Sequence, residues 1–148
     1  MGGRILGLDF GAKTVGVAVS DPLFMTAQSL ETITRTSESK QRRTLARIGE
    51  IIAEYKVTQI VLGYPVNMDG SEGERCEKTR DFKEALERRF ELPVILVNEQ
   101  LTTVEADEIL GNMEVKKQDR KKYIDKIAAA IILQDYLNNE VHYGTDYF

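Results

Sequence analysis

One cysteine, Cys76, leaves nothing for an intramolecular disulfide to pair with, and a reduced, cytoplasmic setting is the expectation. One histidine, His142, excludes a His-rich transition-metal centre. Any bound metal must then take mostly oxygen ligands, which points to Mg²⁺ or Mn²⁺. No apolar run approaches the roughly 18 residues that span a bilayer, and Asp9 interrupts the only N-terminal stretch that could begin a signal segment. Length is short as well: 148 residues make a single domain, 1–148, with an ordinary core. Positive charge is also in deficit, and a net charge of -4 argues against indiscriminate avidity for nucleic acid over the whole surface.

What is present is organised around ILGLDFGAKTVGVAVSD, residues 5–21. Ile5, Leu6 and Leu8 read as a central strand covered on both faces, and Asp9 stands at its tip. A carboxylate there must be paired, hydrogen-bonded or cation-bound, or its pKa rises. The plain alternative is that Asp9 ends the strand and bonds the turn. A P-loop is excluded, because Ala12 replaces a required glycine and Thr14 to Val19 resume as a β-branched strand rather than a helix. The actin-like and sugar-kinase ATPases also set an acid and glycines between two strands, but they need two such domains.

Thr26 to Thr34 reads as a third, more polar edge strand, and the short connections imply an antiparallel meander. From Ser37 to Tyr55 the apolar spacing is helical, with Leu45, Ile48, Ile51 and Ile52 on one stripe. Thr58 to Gly63 is a buried strand reached through that helix and so parallel to the first. The loop Tyr64 to Glu74 ends in Ser71 and Glu74, a capping box for a helix to about Arg89. This loop reads either as a lip over a substrate groove or as a plain connection. Val94 to Asn98 is the fifth strand, and Thr102 with Glu105 caps a helix to about Met113. A last helix runs from about Asp119 to Asn138, with Asp125, Ala128, Ala129 and Ile132 on one stripe. Alanines beside Asp125 would let that helix approach the sheet closely. The expected fold is α/β, a five-stranded mixed sheet with helices on both faces.

In such a sheet the ends of the first and fifth strands and the last helix can converge, gathering Asp9, Glu99 and Asp125. Three carboxylates in one small space need a cation to stay charged, and carboxylates with retained waters suit Mg²⁺ or Mn²⁺. Such a centre is the usual device for attack of water on a phosphodiester. Lys116, Lys117, Arg120, Lys121, Lys122 and Lys126 lie close in sequence to Asp125, as either a phosphate track or a solvated face. A smaller basic group, Arg35, Lys40, Arg42, Arg43 and Arg47, surrounds the start of the first helix.

Four blocks, LGLDFGAKTVGVAVSD, VLGYPVNMDGSEG, NEQLTTVEA and KKYIDKIAAAIILQDYL, resemble in order and spacing those of the YqgF family, the Holliday-junction-resolvase-like pre-16S rRNA nucleases. The resemblance covers nearly the whole chain. It implies an RNase H-like fold with strand order 3-2-1-4-5, a bacterial cytoplasmic protein and a metal-dependent nuclease acting in 5′-end maturation of 16S rRNA. It assigns catalysis and metal binding to Asp9, Glu99 and Asp125, and a phosphate contact to Lys13. One block departs: where the family reads Asp-Glu-Arg, this chain has Asn98, Glu99 and Gln100. That departure keeps a second possibility open, a nucleic-acid or ribosome-binding module with weakened chemistry. A third is a Holliday-junction DNA endonuclease, which would need a homodimer rather than a monomer. The tail from Glu140 to Phe148 would either dock a partner or fray.

Overall fold

The structure, a computed structural model, describes residues 3–11, 13–35, 41–65, 72–98, 112 and 116–142, with 117–126 and 141–142 described by backbone alone. The elements follow as β1 (Arg4–Phe10), β2 (Thr14–Ser20), β3 (Ala27–Thr34), α1 (Arg42–Tyr55), β4 (Val57–Tyr64), α2 (Glu74–Phe90), β5 (Val94–Asn98) and α3 (Lys117–Tyr136). A π-helical segment, Leu137–His142, continues α3. The sheet order is β3-β2-β1-β4-β5. Tight turns make β1, β2 and β3 an antiparallel meander, while crossovers bring β4 and β5 in parallel to β1.

Alternation along β1 divides the core. Leu6, Leu8 and Phe10 pack with Leu45, Ile48 and Ile51 of α1 and with Phe82 and Leu86 of α2. Ile5 faces the other way and packs with Ala129, Ile132 and Leu133 of α3. Helices therefore cover both faces, and β1, near the middle of the sheet, is apolar on both. Ile132 and Leu133 are essentially fully buried, and removal of each from water stabilises α3 on the sheet by roughly 1.5–3 kcal/mol.

The heading of α3 follows from its contacts. Near its C-terminal end the Tyr136 hydroxyl accepts from Gln59 Nε2 at 2.7 Å, and Gln59 pairs with Ile5 near the start of β1. Two residues before that end, Gln134 accepts from the Ala27 amide at 2.9 Å and donates to the Met25 carbonyl at 3.1 Å. Farther back, Ala129 and Leu133 lie over Gly7. The helix thus runs antiparallel to β1, and its N-terminal turns head towards the end of the strand that carries Asp9.

Three boundaries differ from expectation. The Ser71–Glu74 capping box does not start α2: Gly73 is the N-cap in extended backbone, with no side-chain cap bond. Glu74 is consequently the first helical residue rather than the third, and with Glu77 it complements the helix dipole. The described part of α1 begins at Arg42 rather than Ser37. α3 begins at Lys117 and ends at Tyr136, where the π-helical segment takes over. The Thr102–Glu105 box and its helix lie outside the described residues, apart from Asn112.

Candidate active site

Asp9 is the penultimate residue of β1, half-buried and opposite Gly16 of β2. Because Gly7 faces α3, the period of two puts Asp9 on that same face. Gly16 and Ala18 stand beside Asp9 and Gly7 on β2, so small residues floor the approach of the helix. On α3 the backbone of residue 125 lies one turn before Ala129, displaced along the helix towards the level of Asp9. The side chain of Asp125 is outside the described residues, as are Glu99 and Gln100 altogether.

Asn98 ends β5 at the same rim, exposed and opposite Tyr64 of β4. Its face is the other one: Val94 and Leu96 pack with α1 and α2, and Val97 packs with α3. Alternation turns Asn98 away from the face that carries Asp9.

Among the basic residues, Lys13 is exposed in the β1–β2 turn beside Asp9, and Lys116 is exposed just ahead of α3. Lys117, Arg120, Lys121 and Lys122 occupy the first turns of α3, the end that heads for the rim. Their side chains lie outside the described residues. Arg35 departs from a solvated face: it is only 5% exposed, stacked 4.3 Å over the Phe10 ring, and donates to the Gly11 carbonyl.

Arg75 was not singled out from sequence. It donates to the Phe10 carbonyl at 3.0 Å and lies 5.2 Å from the same ring. Nothing local marks it, because its partner is 65 residues away in the chain. Beside it the Tyr64 hydroxyl donates to Glu72 and accepts from Arg80. The hydrogen bond to the Glu72 carboxylate pushes the Tyr64 pKa up to about 12. This clasp fixes the chain on both sides of the β4–α2 loop.

Among the described residues no group of three His, Cys, Asp or Glu side chains could hold a metal ion. The described donor at the α3 side of the rim is the Asp9 carboxylate. Cys76 is buried elsewhere, with its thiol on the Pro65 carbonyl at 3.4 Å, and His142 follows the opposite end of α3. The described donor chemistry at the rim is hard oxygen, which fits a hard divalent cation.

A sheet ordered 3-2-1-4-5, with an acid at the tip of its first strand and a helix drawn down beside it, defines an RNase H-like fold. The solved structures it resembles include Thermus thermophilus RuvC in complex with a Holliday junction substrate, at TM-score 0.58 and 17% identity over 93% of this chain and 96% of that one. That likeness carries the fold. The family model described as RuvX, Holliday junction resolvase, matches residues 3–139, and the chain belongs to that family. A relative from Agathobacter rectalis, named "Putative pre-16S rRNA nuclease", is 60% identical over 91% of this chain and 94% of its own length. One of the same name from Bacillus subtilis is 47% identical over 92% of this chain and 98% of its own. The resemblance read from the four sequence blocks is borne out, and with it a hydrolase of the nuclease class.

Proposed function

We propose that this chain is a divalent-metal-dependent endonuclease that trims the 5′ side of a 16S rRNA precursor in the bacterial cytoplasm. The observation that carries the proposal is the placement of Asp9: an acid on the α3 face of the rim, with the backbone of residue 125 approaching over a floor of Gly7 and Gly16. The substrate assignment rests on the names of the relatives. No described helix is long and apolar enough to cross a membrane, which is compatible with the cytoplasmic setting.

Asp9, Glu99 and Asp125 would hold the metal. Glu99 takes this role from the family resemblance, and alternation along β5 turns Asn98 to the other face. Bound Mg²⁺ or Mn²⁺ would supply a water of lowered pKa and neutralise charge developing on the phosphate. Lys13, Lys116, Lys117, Arg120, Lys121 and Lys122 would take flanking phosphates and hold the scissile one in register. The half-buried setting of Asp9 keeps its carboxylate from being shielded fully by bulk water, which strengthens its hold on a cation.

The test is cleavage of a 16S precursor RNA and of a four-way DNA junction in Mg²⁺ by wild type, Asp9→Asn and Asp125→Asn. RNA cleavage lost in both variants, with folding intact, is expected. Equal rates for wild type and Asp9→Asn would end the proposal. Junction cleavage by a dimer, with RNA untouched, would move the function to DNA. Sedimentation of the purified chain decides between monomer and homodimer, and co-sedimentation with ribosomal particles tests ribosome association.

A further inference from the structure

The two ladders of β1 end at different points. The register with β4 runs as far as Leu8 and Leu62, while the register with β2 continues through Asp9 and Phe10. Gly11 donates to Thr14 at 2.8 Å, so the alternation of an antiparallel ladder turns the amide and carbonyl of Phe10 away from β2, towards the β4 side. There Arg75 takes the Phe10 carbonyl at 3.0 Å. One residue on, Arg35 takes the Gly11 carbonyl from the α1 and α2 side of the sheet. Both guanidiniums lie over the Phe10 ring, at 5.2 and 4.3 Å, and that ring stacks on Phe82 at 4.2 Å. The two arginines thus grip the two peptide carbonyls that follow Asp9, from the face opposite to its carboxylate.

We propose that Arg75 is a positioning residue for Asp9: by anchoring the Phe10 carbonyl where β4 no longer can, it holds the Phe10–Gly11 peptide and so fixes the end of the strand from which the neighbouring metal-binding carboxylate projects. Arg35 braces the next peptide from within the core. The inference rests on the proposed role of Asp9 in holding a divalent ion. A charged donor on a carbonyl is a stronger anchor than an amide, and outer supports of metal ligands typically matter about 10- to 100-fold in affinity or activity.

The experiment compares wild type, Arg75→Lys, Arg75→Gln and Arg75→Ala in three measurements: calorimetric titration with Mn²⁺ alone, steady-state cleavage of 16S precursor RNA, and urea unfolding. Arg75→Ala and Arg75→Gln are expected to weaken Mn²⁺ binding and lower kcat by about 10-fold or more, with KM within about 2-fold of wild type. Arg75→Lys, which keeps one charged donor, is expected to recover part of both. Raised KM with unchanged Mn²⁺ affinity would put Arg75 on the substrate and overturn the proposal. So would lower urea stability with unchanged Mn²⁺ affinity of the folded protein, which marks a purely structural role. If wild type binds Mn²⁺ but does not cleave RNA, the functional proposal fails and the Mn²⁺ series still decides the role of Arg75. A wild type that binds no Mn²⁺ overturns both.

Discussion

Gly7 lies directly beneath Leu133: a β-carbon on the glycine would stand 2.8 Å from that of Leu133 and 3.1 Å from the carbonyl oxygen of Ala129. The second contact is with backbone, so a rotamer change cannot relieve it, and α3 would have to lift. Gly7→Ala is therefore expected to destabilise the fold by about 1–3 kcal/mol, the usual cost of overpacking. It should also displace the turn that carries residue 125 away from Asp9. Cleavage measured where the variant is still fully folded by urea titration should fall further than its stability loss explains. A variant with wild-type stability and rate would show that α3 does not need this close approach.

This contact also shows what the sequence could and could not disclose. The apolar run of Ile5, Leu6 and Leu8, the short connections of the meander, the helical crossover to the next strand and the alanine stripe of α3 are local patterns, and from them the sheet, its mixed directions and the closeness of α3 were legible. Asp9 was legible as a misfit, an acid at the tip of an apolar strand. Arg75 and the Tyr64–Glu72–Arg80 clasp were not, because each partner lies on another element or across a loop, and long-range polar pairing leaves no periodicity. The burial of Arg35 was not legible for a related reason: it stands among neighbouring bases in the sequence, and the Phe10 ring above Phe82 and the Gly11 carbonyl that accommodate it lie on another element. The capping box failed because Gly73 adopts the extended cap conformation itself.

Asn98 shares the rim with Asp9 but not its face, and that difference decides whether the altered third block matters. Restoring the acid by Asn98→Asp places a carboxylate beside Tyr64, on the α1 and α2 side. The double variant Asn98→Asp, Gln100→Arg is accordingly expected to change kcat/KM by less than about 3-fold, below the smallest effect usual for a true metal support. Steady-state cleavage of 16S precursor RNA checks this. A gain of about 30-fold or more would mean that the chain as it stands is a weakened binder and that Asn98 belongs to the metal centre.

The clasp at the start of α2 predicts an alkaline signature. Tyr64 has its pKa raised to about 12 by donating to Glu72, so its proton is held more tightly in the folded chain than in the unfolded one. The resulting stabilisation is fully present below about pH 10, the unfolded tyrosine value, and is lost as pH rises towards 12. Difference absorbance between wild type and Tyr64→Phe should isolate one late-titrating tyrosinate. In Glu72→Gln that titration should move back towards the ordinary value, and an unmoved titration would show that the hydrogen bond is not its cause.

At the acid end the informative pair is Glu31 and Arg47, which ties edge strand β3 to α1. The guanidinium is bidentate, with Nε at 3.0 Å from one carboxylate oxygen and a terminal nitrogen at 2.5 Å from the other. That hydrogen bonding holds the Glu31 pKa below its ordinary value. A lowered carboxyl pKa contributes stability above the unfolded value of about 4.3, and the contribution disappears as pH falls through the folded value. Both side chains are about one-third exposed, at 32% for Glu31 and 39% for Arg47, so solvent screening limits the pair to about 0.5–1 kcal/mol even with ideal geometry. Glu31→Gln should lose that amount at neutral pH by urea titration and converge with wild type as pH falls below the lowered folded value of Glu31, where both carry an uncharged side chain. Since β3 pairs only with β2 and so forms one edge of the sheet, the loss should appear first as faster amide exchange along Ala27–Thr34, with the rim around Asp9 and its cleavage rate left in place. Equal stability of the two proteins near neutral pH would show that α1 is held to this edge by its apolar stripe alone.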